Sequence, residues 1–203
     1  MNQAWELLFE GKIDEAKKLV SETFSLETCK DYSLLNLMGY IKLFEKDYQE
    51  ALLTYQNYLE VAISSQDKEN EHIGYHQLAM VYREMNDYQT ALNYIAKERE
   101  IIEKFFPEDA LKSSVNNYEQ GYLRLKLGEI AKAIMYMKQS LKQALQTDDL
   151  IAQACSYRGL GEIYLEQDLF KSRDYFLKSI NLFEKAEDKI GADEVRALLQ
   201  EKK

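Results

Sequence analysis

The sequence predicts an all-α chain of about five stacked antiparallel helix pairs followed by one further helix. Three observations predict it. Small residues recur twelve apart, as Ala4 and Ala16, Gly39 and Ala51, Ala79 and Ala91, and Gly121 and Ala133, with Gly161 and Ser172 one residue closer. The second member of each pair recurs at intervals of 35, 40, 42 and 39 residues. No segment alternates apolar and polar residues as a half-buried strand would, and one proline and eight glycines among 203 residues leave little to interrupt long helices. The twelve-residue spacing has a mechanical reason: two helices approach closely only where a small side chain marks the crossing, while Tyr and Leu fill the groove beside it. A single pair cannot bury its apolar face alone, so neighbouring pairs stack into a solenoid with one continuous core.

The elements follow in order, near residues 2–10, 12–25, 31–45, 48–65, 68–85, 88–106, 109–127, 130–146, 149–167, 169–186 and 188–201. Gly11 turns the chain between the first two. Asp31 and Asp47 stand before the next two as acidic helix starts. Tyr75-x-x-Leu78-Ala79-x-x-Tyr82 carries the fifth, Asn86-Asp87-Tyr88 opens the sixth, and Pro107 after Phe105-Phe106 ends it. Pro107-Glu108-Asp109 starts the seventh, Gly128 separates it from the eighth, and Asp148-Asp149 precedes the ninth. The tenth begins before Phe170 and Ser172 after a turn one residue short. The last, from Ile190 to Leu199, exposes Asp193, Glu194, Arg196 and Glu201 as the polar face of a cap. We expect a single domain over 1–203, with repeats near 1–28, 31–65, 68–106, 109–146 and 149–186 and a cap at 188–201.

The run Tyr75-x-x-Leu78-Ala79-x-x-Tyr82, Asn86-Asp87-Tyr88, Ala91 resembles the tetratricopeptide repeat (TPR). The repeat here is about 40 residues against roughly 34 in the standard TPR, which lengthens the helices by about one turn. Such long-helix repeats are similar to those of Gram-positive peptide-sensing regulators and of kinesin light chains. The resemblance implies a curved TPR solenoid whose first helices line an inner groove. It places groove residues one after the small crossing residue, three before it, and four or five after it. Those offsets select Asn36, Tyr40, Leu43 and Phe44, then His76, Met80, Arg83 and Glu84, then Tyr118, Tyr122, Leu125 and Lys126, then Arg158, Glu162, Leu165 and Glu166, with Trp5, Leu8 and Phe9 in the first pair. The mixture of aromatic and apolar side chains with a few donors suits an extended or helical peptide. The peptide-binding set so implied is Asn36, Tyr40, Leu43, Phe44, His76, Met80, Arg83, Tyr118, Tyr122 and Arg158.

Net charge −9 and a pI near 4.9 disfavour nucleic acid, whose phosphates call for clustered Lys and Arg. No apolar run approaches the roughly 18 residues that would span a bilayer, and Met1-Asn2-Gln3-Ala4-Trp5-Glu6 lacks the basic start of a signal peptide, so a cytoplasmic protein is expected. In that compartment Cys29 and Cys155 are expected as reduced thiols.

Little in the chain assembles chemistry. His72 and His76 lie four apart on one helix face, but Ile73-Gly74-Tyr75 between them supplies no glutamate base and no third ligand follows. Gly159-x-Gly161 follows no strand and lacks a third glycine, and Glu162 with Glu166 reads as a solvated face. The sequence therefore points to a non-catalytic scaffold that needs no cofactor or metal and binds a protein or peptide segment. A regulator sensing a signalling peptide and a metal-dependent enzyme at His72 and His76 stand as alternatives. Trp5, Leu8 and Phe9, with nothing before them to cover them, mark the N-terminal end as a candidate homodimer surface.

Overall fold

The computed structural model describes residues 2–21, 25 and 28–200, the side chains of Asn2, Phe9 and Ser21 excepted, and these residues form eleven α-helices and no strand. They are α1 (Asn2–Phe9), α2 (Ile13–Ser21), α3 (Tyr32–Phe44), α4 (Tyr48–Ser64), α5 (Lys68–Glu84), α6 (Tyr88–Phe105), α7 (Ala110–Lys126), α8 (Ile130–Ala144), α9 (Leu150–Tyr164), α10 (Leu169–Lys185) and α11 (Lys189–Gln200). The starts and ends agree with the sequence reading to within about two residues, with two exceptions. Residues 22–24 of the expected second helix lie outside the described residues, and α9 stops at Tyr164 where 167 was expected. The chain divides into two compact units, residues 1–101 and 102–203, the division falling within α6.

An aspartate starts eight of the helices among the described residues. The carboxylates of Asp31, Asp47, Asp67, Asp87, Asp109, Asp149, Asp168 and Asp188 each accept a hydrogen bond from the backbone N–H three residues on, at 2.8–3.4 Å. Each satisfies an N–H that the helix cannot pair internally and places negative charge at the positive end of the helix dipole. Only α8, of the helices from α3 onward, departs: Glu129 precedes it and makes no such bond. Eight of the 35 acidic residues thus serve local chemistry at helix starts.

The turns are equally regular. Gly11, Lys46, Asn86 and Gly128, between the two helices of a pair, adopt φ of 76°, 59°, 60° and 76°. After each, the next N–H reaches back to the helix, as in Lys12 N–H to Leu7 O at 2.8 Å and Asp87 N–H to Tyr82 O at 2.9 Å. These are left-handed C-caps that fold the chain back at once. The turn from α9 to α10 contains no left-handed residue; Gln167 and Asp168 both donate to Tyr164 O.

Each small residue of a first helix seats a side chain of the second. An added Cβ on Gly39 would collide with the Tyr55 ring, and one on Gly161 with the Phe176 ring at 2.5 Å. Gly121 lies against Met137 in the same way, at 3.1 Å. Tyr55, Met137 and Phe176 stand four residues beyond Ala51, Ala133 and Ser172, and all three are fully buried. Where the first helix carries Ala4 or Ala79, the equivalent second-helix residue is the smaller Val20 or Ile95. The expectation that small meets small is therefore refined: the glycine makes room for a ring or a thioether, and alanine accompanies a β-branched residue.

The core of unit 1 gathers Ala4, Leu8, Val20, Leu37 and Ile41 in one cluster and Leu35, Tyr55, Leu59, Leu78 and Val81 in another. Unit 2 gathers Met137, Leu160 and Ile163, then Phe176, Phe183, Ala192 and Val195. The expected apolar patch at the N-terminal end is corrected here. Leu8 is 1% exposed because it packs between α2 and α3, and Trp5 sits edge-on against Tyr40 at 5.5 Å, so α3 covers what the sequence left bare. The Phe9 side chain lies outside the described residues. No helix of the described residues is long and apolar enough to cross a membrane.

Candidate binding surfaces on the first helices

In unit 2 the first helices α7 and α9 lie side by side, and between their N-terminal halves runs a cleft of about 300 Å³. Leu111, Val115 and Tyr118 line it from α7, Ile151, Ala152 and Cys155 from α9, and Ser114 and Ser140 from below. Val115 and Ile151 remain exposed at its mouth although both are apolar. The floor is small because it is made of serines: Ser114 Oγ–H donates to Ser140 O at 3.0 Å, and Ser140 and Ser156 hydroxyls meet at 2.7 Å. Their polar groups are paired with one another, so a low-volume floor is reached without orphaned donors.

Toward the C-terminal halves of the same two helices the wall becomes aromatic and charged. Tyr118 and Tyr122 stack at 6.3 Å, and Lys126 Nζ lies 5.1 Å from the Tyr122 ring centre. Burial raises the Tyr118 phenol well above its ordinary value, so it stays a neutral donor. Burial likewise pushes the Cys155 thiol up to about 11, leaving it protonated and unreactive at neutral pH. Arg158 donates from Nε to Glu162 at 2.9 Å and from Nη1 to Glu194 of α11 at 2.6 Å. Burial opposes its charge, but the Glu162 and Glu194 carboxylates outweigh it and hold the guanidinium ionised. Arg158 is therefore a fixed cation tied to two acids.

The residues selected in unit 1 are dispersed in role. Phe44 is 52% exposed at the end of α3, whereas Tyr40 is taken up by Trp5 and Leu43 packs toward the second core cluster. Asn36 accepts the Tyr55 hydroxyl on its backbone oxygen at 3.3 Å. Met80 is buried, 9% exposed, which corrects its assignment to the wall: an unbranched apolar side chain gains by leaving water. Arg83 pairs with Glu84 at 3.5 Å.

His76 points at the buried Glu98 of α6, 3.2 Å away, and His72 Nδ1 lies 3.7 Å from the same carboxylate. The two histidines thus share an acid in the interior. No group of three or more His, Cys, Asp or Glu side chains among the described residues is placed to hold a metal ion. Cys29 and Cys155 are both free thiols.

The sequence reading found Tyr118, Tyr122, Arg158 and Glu162 together on one wall but missed Leu111, Val115, Ile151 and Cys155. The offsets began three residues before the crossing point and so skipped the first turns of α7 and α9. The available signal was the four-residue spacing of Leu111 with Val115 and of Ile151 with Cys155, which puts each pair on one helix face.

No protein-family model matches the chain, and no curated protein matches it. Solved structures do. BtubC (BKLC) from P. vanneervenii is 15% identical, covering 95% of this chain and 87% of its own, with a TM-score of 0.66. RapI in its apo form is 12% identical, covering 98% of this chain and 61% of its own, with a TM-score of 0.71. A kinesin light chain from Podosopora anserina with nearly identical TPR-like repeats is 14% identical, covering 91% of this chain and 93% of its own, with a TM-score of 0.64. The chain thus spans about three fifths of the length of RapI. At such identities the likeness shows the fold alone: this is a TPR-like helical repeat fold.

Proposed function

We propose that the chain is a non-catalytic scaffold that holds a protein or peptide segment along the first-helix wall of α7 and α9. One observation supports the reading above the rest. Apolar Val115 and Ile151 stand open to water, with half-buried Leu111 and the aromatic pair Tyr118 and Tyr122 alongside, over a serine floor too shallow to fill the space between the helices. An apolar side chain of the ligand enters the cleft, and Tyr118, Arg158 and Glu162 orient its backbone and polar groups. The ligand is of polypeptide chemistry, with nucleic acid and membrane disfavoured by the charge of −9 and the absence of basic clusters. Sensing of a short signalling peptide by a bacterial cytoplasmic protein is the finer form of this reading and rests on repeat length.

The test is affinity capture from the source cell extract with the wild-type chain and with Val115→Asp plus Ile151→Asp, both changes being at exposed positions. The partner bound by the wild type is lost by the double variant while the helical circular dichroism is unchanged. Equal recovery by both overturns the assignment to this wall.

A further inference from the structure

The turn from α9 to α10 breaks the regularity of the chain, and what it exposes is apolar. At the first position of α10 stands Leu169, 55% exposed, where the equivalent Ile13, Tyr48, Tyr88 and Ile130 are half-buried. At the second stands Phe170, 85% exposed, where the equivalents are Asp14, Gln49, Gln89 and Ala131. Phe170 is the most exposed large apolar side chain of the described residues. The turn that precedes Leu169 has no left-handed residue, unlike the turns at Gly11, Lys46, Asn86 and Gly128. Beside this ridge lies a groove of about 290 Å³ lined by Leu165, Phe176, Leu198 and Leu199, so that α10, α11 and the residue that follows α9 all contribute.

The rim carries a specific charge. Arg173 lines the groove three residues beyond Phe170 on the same face of α10. It takes part in no ion pair among the described residues, whereas the neighbouring Lys171 is held by Asp168 at 3.0 Å. An exposed aromatic, a leucine and an uncommitted arginine around one concavity form the composition of an interface centre. The chain as a whole carries a charge of −9, so its net charge would not by itself draw an acidic partner to this groove.

We propose that this groove docks an amphipathic helix of a partner protein, whose apolar stripe covers Phe170 and Leu169 and whose flanking carboxylate pairs with Arg173. A helix is the occupant because the groove runs between helix ends and offers no strand edge to extend. The site is separate from the α7 and α9 wall.

Two synthetic peptides test it, sharing one leucine stripe and flanked in one case by glutamates and in the other by lysines, with affinity read by fluorescence anisotropy on the full chain. Net charge alone favours the lysine peptide. The expected result is the opposite, a preference of about tenfold for the glutamate peptide. Phe170→Ser weakens that peptide about tenfold and Arg173→Glu abolishes the preference, both at exposed positions and with unchanged circular dichroism. Val115→Asp with Ile151→Asp leaves the binding as it was, which separates this site from the proposed wall. The proposal is overturned by a preference for the lysine peptide, or by indifference to Phe170→Ser. A concentration-dependent dimer in sedimentation that Phe170→Ser dissolves also overturns it, by making a second copy the occupant.

Discussion

The two units differ most at the place where each helix pair makes its second crossing, about two turns from the first. Seven residues before the small first-helix residue and seven after its second-helix counterpart, unit 1 places Tyr32 against Tyr58 with ring centres 5.0 Å apart, and His72 against Glu98 at 3.7 Å. Unit 2 places Ser114 against Ser140 at 3.0 Å, and Ser179 against the carbonyl of Ala154 at 2.8 Å. The first crossing is the same device throughout, a small residue receiving a larger one. The repeat therefore fixes one contact per pair and leaves the other free to vary in size and polarity. Where the second contact is small, the floor of the pair drops. Ser114 and Ser140, which form such a contact, also line the cleft between α7 and α9.

The largest effects should come from the constant crossing and should be alike in the two units. Tyr55→Ala and Phe176→Ala each remove a fully buried ring and are expected to cost about 3–5 kcal/mol in urea unfolding. A large cost in one unit and a small one in the other would break the equivalence. Next, Gly39→Ala overpacks against Tyr55 and is expected to cost about 1–3 kcal/mol. Adding Tyr55→Val recreates the pairing of Ala4 with Val20, so the double variant should be more stable than the sum of the two changes by about 1 kcal/mol. Additivity would mean that the pairing is coincidental.

At the variable crossing, Ser140→Leu should cost about 2 kcal/mol and fill the floor of the cleft. Ligand binding at the wall should fall with it. The helix starts give smaller effects. Asp67→Ala is expected to lose about 1 kcal/mol, and Glu129→Asp to gain about 0.5 kcal/mol by supplying α8 with the missing cap. The smallest change, Lys46→Gly, relieves a left-handed lysine and should stabilise by a few tenths of a kcal/mol, about 0.5 at most.

How far the sequence foretold this structure depends on the range of the interaction concerned. Helix positions follow from the twelve-residue spacing and from residues such as Asp47, Gly128 and Pro107, which act on their immediate neighbours. The TPR-like fold followed from the same local pattern. Seating of the Tyr55 ring on Gly39 was half-legible: both residues could be placed, but which side chain faces the glycine is fixed only by the crossing angle of α3 and α4. The wall was legible at Tyr118, Tyr122, Arg158 and Glu162. Its cleft was not, because depth depends on Ser114 and Ser140, residues from two helices whose hydroxyls become relevant only when they meet. Nor was the burial of Leu8, since the cover comes from α3, distant in sequence. Phe170 was noted as an apolar residue of the repeat, but its exposure depends on a turn of unusual geometry.

Three of the aspartate starts, Asp67, Asp109 and Asp168, tie the termini of α5, α7 and α10 to a single chemical event. The carboxylate of Asp67 is held below its ordinary value by the Asn70 backbone and side chain, and that of Asp168 by the Lys171 N–H and then its ammonium. Asp109 is held low by Lys112 in spite of burial. A carboxylate whose affinity for protons is lower folded than unfolded contributes fully above about pH 4 and loses that contribution as the pH falls through its folded value. Protonation then removes a charged acceptor from one first-turn amide after another, in both units at once. Followed by hydrogen exchange during acidification, the N-terminal amides of α5, α7 and α10 should loosen together, while those of α8, which has no carboxylate cap to protonate, keep the rate they had at neutral pH once corrected for intrinsic chemistry.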